Sequence, residues 1–338
     1  MSSKNIPLLV LVDKMDKRDT AIDIAKAIGI LLMILGHCGE IPYRPYRHFI
    51  FTFHMPLFFI ISGYFFKKMP IKASLIKDIR HLMYPYFFTC CAIIVLSLLF
   101  AFHSGDYKQV IYYIEATFIG SGGPHRSCLL LSHVPSIGAI WFFPALYICK
   151  NVYNCISGYS TEKRMIYSSV IFICATLIGR YLIFIPFSML SGLSAIIFYA
   201  IGDFFKTQFK MKKIYWILGI TCWIISFKYS HLYIVNPQID LYFIDVIGAT
   251  TASLICYLVS KKIEHLRYSS HTLSWLGENT LYVLCFHLID LNIGISTILT
   301  NGSSLLTILS RLVIPIMATL IFTKAKQIKK KDRSLFLN

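Results

Sequence analysis

The chain has 338 residues, 56% hydrophobic against only 14% charged side chains, and a formal charge of +17 from 33 Lys and Arg over 16 Asp and Glu. A soluble domain carries about 25% charged residues, and a disordered chain pairs high net charge with few apolar residues. A nucleic-acid-binding protein needs hydrated surface that a mean hydropathy of +0.64 does not leave, so the composition predicts an all-α polytopic membrane helix bundle in a lipid bilayer, without a soluble domain or a nucleic-acid partner.

A membrane-spanning helix needs roughly 20 mostly apolar residues. In chain order, segments near 21–38, 48–66, 83–103, 137–157, 165–184, 185–205, 213–230, 240–260, 273–292 and 304–323 meet that condition, about ten in all. The first apolar stretch, Ile6 to Val12, is short and runs into DKMDKRD, unlike a cleavable signal peptide. The longest connection, 104–136, holds an apolar stretch (VIYYIEATFIG) suited to the interface and a turn-forming GSGGPHR centre.

Lys and Arg distribute unevenly around these spans. With the N-terminus inside, only Arg44, Arg47, Lys108, Arg126, Arg180 and Lys228 fall outside, Lys26 and Arg311 lie within helices, and the other 25 of the 33 are cytoplasmic. This bias predicts a multi-pass protein of the inner (plasma) membrane with both termini cytoplasmic. It divides the chain into an N-terminal segment (1–17), a transmembrane domain (18–323) and a basic tail (324–338). The ten cysteines contain no CxxC pair, and most lie in apolar runs as small buried hydrophobes.

Titratable groups inside spans are costly and are functional candidates by default. In the first helix Asp23, Lys26, Ile30, Met33 and His37 follow at spacings of 3, 4, 3 and 4, which puts them on one stripe with Lys26 and His37 about 16 Å apart. Pairing of Asp23 with Lys26 near the inner surface, and of His37 with headgroups, would account for these residues alone. His54, near the outer start of the second span, and His287, about four turns along the ninth, come out at the depth of His37 and suggest a polar chamber. Thr280 shares a face with His287, whereas Glu278 points away. No tight His/Asp/Glu spacing supports a metal site.

At these residues the chain resembles a known family. RDTAIDIAKAIGILLMILGH (18–37) followed by FTFHMPLFFIISGYFF (51–66) is similar to the start of the acyltransferase 3 family of integral membrane O-acyltransferases, in particular its fucose 4-O-acetylase-like, surface-polysaccharide branch. IRHLMYPYF (79–87), IWFFPALY (140–147) and SWLGENTLYVLCFHLI (274–289) resemble later elements of the same family, so the likeness covers about residues 15–325. Lys26 stands where more distant members have Arg, and Ala27 where Gly is usual in this branch.

The resemblance implies transfer of an acetyl group from cytoplasmic acetyl-CoA, a substrate and not a bound cofactor, to a sugar hydroxyl of a surface polysaccharide or its lipid-linked precursor. A sugar hydroxyl is a poor nucleophile, so a base near neutrality is needed, and His37 is assigned that role, with His287 as the second catalytic imidazole. Cys38 is turned about 100° from His37 on the helix, and Ser62 is the better candidate nucleophile or hydrogen-bonding group, unless it only allows close packing beside Gly63. Arg18, Lys26 and Arg80 are expected to attract the CoA phosphates. Asp23, His54, Trp141 and Thr280 are expected at the substrates, with Trp141 either a carbohydrate platform or an interfacial anchor. Glu278 and Asn279 are expected to cap the ninth helix, Asp245 and Asp290 to pair or lie at the surface, and Arg311 to face the bundle or water. A transporter of a glycan precursor or small solute is the alternative, though no two-halved symmetry supports it.

Overall fold

The structure is a computed structural model that describes residues 19–39, 44–123, 134–181, 185–207 and 212–335. In chain order it forms α1 (Thr20–His37), α2 (Arg44–Phe51), α3 (His54–Tyr64) and α4 (Ile71–Asp78), which continues through a π-helical turn (Ile79–Met83) into α5 (Tyr84–Ser104). Next come α6 (Lys108–Ile119), a 3₁₀ turn (Gly138–Trp141) leading into α7 (Phe142–Ile156), α8 (Thr161–Tyr181), α9 (Met189–Ser194), α10 (Ile196–Thr207) and α11 (Lys213–Tyr229). A two-residue ribbon of β1 (Leu232–Tyr233) and β2 (Gln238–Ile239) precedes α12 (Phe243–Ile263), α13 (Arg267–Glu278), α14 (Thr280–Ile293), α15 (Ile295–Leu299) and α16 (Ser304–Leu335).

The chain is all-α apart from that ribbon and a single isolated bridge among the described residues. Five helical stretches there are long and apolar enough to cross a membrane: Thr20–His37, Ile71–Ser104, Met189–Thr207, Phe243–Ile263 and Ser304–Lys329. The other expected spans fall on helices that are shorter, interrupted or less apolar. The second is broken at Thr52 and Phe53 between α2 and α3, and the ninth at Asn279 between α13 and α14.

Burial is inverted relative to a soluble helix. On α11 the small residues Gly219, Cys222 and Ser226 face inward while Ile214, Ile217, Leu218 and Ile224 are exposed. On α16 Thr307, Arg311 and Thr319 are buried while Leu305, Leu309, Val313 and Ile321 are exposed. Large apolar side chains outside and small or polar ones inside suit a bundle solvated by lipid, where helices approach through small residues and hydrogen bonds.

Helix α1 is the axis of the site. Asp19 caps it, its Oδ1 accepting from the Ala21 and Ile22 amides at 3.0 and 3.3 Å. It packs against α3, α12, α13, α14 and α16. The crossing with α13 is so close that a Cβ on Gly277 would lie 1.7 Å from the Asp23 carbonyl oxygen. Helices α3 and α10 meet reciprocally: a Cβ on Gly63 would lie 2.0 Å from the Tyr199 carbonyl oxygen, and one on Gly202 2.0 Å from that of Ile60. The glycines of the SGY and LGEN motifs are therefore contact points where only hydrogen fits.

Candidate active site

Two polar regions lie along α1, one at each end. At its C-terminal end the His37 and His287 rings approach to 6.0 Å between centroids at an interplanar angle of 69°. His54 joins them across Phe51, whose ring lies 5.9 Å from His37 and 5.1 Å from His54. The break between α2 and α3 makes this possible, because it starts α3 at His54 beside the end of α1.

Hydrogen bonding sets the chemistry of each ring. His37 Nδ1 lies 2.8 Å from the Met33 carbonyl, which only accepts, so Nδ1 carries the proton and Nε2 keeps its lone pair. His54 is held the same way by the Ile50 carbonyl at 3.0 Å. His287 is fully buried, and neither ring nitrogen has a hydrogen-bond partner among the described residues. Buried polar groups are normally paired, so His287 has donor and acceptor capacity to spend on a small molecule.

Arg311 reaches the same place from α16. It is 8% exposed, its Nη1 lies 3.4 Å from the His37 carbonyl oxygen and its Nη2 3.4 Å from Thr297 Oγ1. One turn on, Pro315 lies inside the helix and has no N–H to give the Arg311 carbonyl, which opens the ladder there. Thr297 sits on α15, whose start is fixed by Asp290: its carboxylate accepts from the Ser296 amide at 2.7 Å and the Ser296 hydroxyl at 2.8 Å.

At the N-terminal end of α1, Lys26 donates to Asp23 Oδ1 at 3.0 Å. Lys26 also lines an open cavity of about 490 Å³ with Lys67, Lys77, Lys150, Asp78 and Ser62, while Phe65, Phe66 and Tyr199 contribute aromatic walls. Asp78 is buried and accepts from Lys150 Nζ. Four lysines line this one cavity beside aromatic rings, two of them paired, Lys26 with Asp23 and Lys150 with Asp78.

The expected site residues therefore divide. His37, His54 and His287 come together. Asp23, Lys26 and Ser62 belong to the other end, with Ser62 two turns, about 12 Å, beyond His54 on α3. Arg80 is exposed on the π turn and is not among the residues lining the lysine cavity. Arg18 lies outside the described residues. Trp141 is buried in the core, 5% exposed, with Gly122 packed closely against its indole, and is neither a lipid-facing anchor nor an open platform. Thr280 starts α14, its hydroxyl 3.4 Å from the Gly277 carbonyl. The Asn279 side chain turns back to the Trp275 carbonyl at 2.8 Å, closing α13 instead of capping α14. Asp245 pairs as expected, accepting from Ser226, Ser230 and the Leu241 amide.

Lys67, Lys77 and Lys150 carry no local signal beyond orientation charge, because the connection after α3, helix α4 and helix α7 bring them to the cavity that Lys26 lines. Arg311 announces itself only as a cation inside a span.

The chain belongs to the acyltransferase 3 family: the family's sequence model, described as an acyltransferase domain, matches residues 19–323. It is similar to the nodulation protein NolL of Sinorhizobium fredii, 34% identical over 101 residues, which are 26% of this chain and 28% of that protein. NolL of Mesorhizobium japonicum is 29% identical over 119 residues, 31% of this chain and 32% of the relative. The matched stretches thus span about a third of these relatives or less. No solved structure matches the chain.

Proposed function

We propose that the protein is a membrane O-acetyltransferase that moves an acetyl group from cytoplasmic acetyl-CoA to a hydroxyl of a surface-polysaccharide sugar or its lipid-linked precursor. The observation that carries this reading is α1, one unbroken helix with a lysine-lined cavity at one end and a free imidazole Nε2 at the other. The nucleotide and its phosphates bind at Lys26, Lys67, Lys77 and Lys150, and the pantetheine arm extends along α1 toward His37. The acceptor enters from the other side of the membrane. Both termini, including 1–17 and the basic tail 324–338, lie in the cytoplasm, and the ten-span topology of the plasma-membrane protein follows from the positive-inside bias.

His37 Nε2 removes the hydroxyl proton as the sugar oxygen bonds to the thioester carbon, and the C–S bond then breaks to release the CoA thiolate, which recovers the proton. His287 hydrogen-bonds the acceptor, and His54 supports the far side of the chamber. Ile30 and Met33 lie between the two ends and are packed in the core, so the arm passes by displacing side chains. Met33, unbranched and with three rotatable bonds, yields most readily.

The test is complementation of a strain lacking the gene with wild type and His37→Ala, measuring base-labile acetyl groups on surface polysaccharide. Loss of a general base lowers the rate about 10²–10⁴-fold. Unchanged O-acetylation by a normally inserted His37→Ala protein overturns the assignment.

A further inference from the structure

His37, His287 and Arg311 converge from α1, α14 and α16. Acyl transfer requires something the imidazole base does not supply. When the attacking oxygen bonds to the thioester carbon, the carbonyl electrons move onto the acyl oxygen, and that charge must be met by donors before the C–S bond breaks. We propose that Arg311 is this donor, its guanidinium holding the acyl oxygen of the bound thioester while His37 Nε2 takes the hydroxyl proton. On collapse the C=O bond re-forms, the sulfur leaves with its bonding pair, and Arg311 ends in the protonation state in which it began. The inference rests on the acetyl-CoA reading above and adds a catalytic group to it.

Several observations carry it. The guanidinium is buried, as is the His287 ring. Contacts of 3.4 Å to the His37 carbonyl oxygen and to Thr297 Oγ1 place the guanidinium at the end of α1, beside the ring that takes the proton. Its position is built: Asp290 anchors Ser296, and Ser296 precedes the Thr297 that touches the guanidinium. His287, with both nitrogens unpartnered among the described residues, marks the same spot as a place for a ligand. A competing structural role exists, because a cation at the last carbonyls of α1 also complements the helix dipole.

The experiment separates the two roles. Purified full-length wild type, Arg311→Ala, Arg311→Lys and Thr297→Val in proteoliposomes are given acetyl-CoA with base-treated, de-O-acetylated surface polysaccharide as acceptor, and free thiol release is followed beside thermal unfolding. Arg311→Ala is expected to lower kcat about 10²–10³-fold while leaving the acetyl-CoA KM within about twofold, and added guanidinium ion is expected to restore part of the rate. A helix cap alone predicts a lower melting temperature, kcat within about threefold of wild type and no rescue, and that result overturns the proposal. Should Arg311→Ala fail to insert, the other two variants decide. Arg311→Lys keeps the charge without the fork and Thr297→Val loosens it, so both are expected to lose kcat at unchanged melting temperature, and full activity in both overturns the proposal. Wild type that binds acetyl-CoA without releasing thiol overturns the acetyl-transfer reading itself, whereas turnover undiminished in the variants removes only the role of Arg311.

Discussion

His37 has one ring nitrogen committed to the Met33 carbonyl, which selects a tautomer, and under the proposed mechanism it is that tautomer and not merely the residue type that reacts. A Gln at position 37 keeps bulk and a donor for Met33 but has no basic lone pair, so His37→Gln is expected to fold normally and still lose activity about 10²-fold or more, read by the same acetyl assay. Gly277 shows the opposite kind of importance. It contributes no chemistry, yet a methyl group there collides with the Asp23 carbonyl at 1.7 Å. Gly277→Ala must push α13 off α1 and is expected to cost about 1–3 kcal/mol, measured as a fall in the melting temperature of detergent-solubilised protein. Gly39→Ala, with nothing within 4 Å of the new Cβ, is the control expected to leave stability unchanged.

At the scale of elements, α1 does what a single-turn motif cannot: it holds Lys26 and His37 about 16 Å apart on one rigid stripe. The Asp23, Lys26 and His37 spacing was readable from the chain because helical periodicity is local. The partners of that stripe were not, since Ile30 and Met33 meet side chains contributed by helices far along the sequence. If the thioester arm travels along this stripe, a bulky Ile30→Trp side chain narrows its route. The expected result is kcat reduced by at least about tenfold with acetyl-CoA binding, followed by calorimetry, unchanged. Equal loss of binding would place the arm elsewhere. The break between α2 and α3 is invisible to hydropathy, which counts apolar residues and is blind to a turn at Thr52 and Phe53 within an apolar run, whereas the break between α13 and α14 falls at the polar Glu278 and Asn279. The first of these breaks starts α3 at His54, beside the end of α1.

At the scale of the molecule, the proposed orientation accounts for most of the +17 charge, and the proposed donor site gives the lysines around the cavity a second use. Lys67 and Lys77 are exposed, so their attraction for phosphates is screened as the Debye length falls from about 10 Å at 0.1 M salt to about 3 Å at 1 M. The acetyl-CoA KM is therefore expected to rise with ionic strength, and less steeply in a Lys67→Gln, Lys77→Gln double variant, as measured by steady-state kinetics in proteoliposomes. A salt-independent KM would remove these lysines from the donor site.

Composition, periodicity and motif order were enough to determine the class of solvent, the helical architecture, the family and the stripe on α1, because hydrophobic length, helical spacing and charge bias are written in consecutive residues. Only the tertiary structure decided that Ser62 belongs with Lys26 and not with His37, that Trp141 is buried, that Lys67, Lys77 and Lys150 line the same cavity as Lys26, and that Arg311 ends at the His37 carbonyl. Those facts depend on which helices touch, and helix contact in this chain is set by a few hydrogen-only crossings at Gly63, Gly202 and Gly277, whose partners lie up to 254 residues away in sequence, from Asp23 to Gly277.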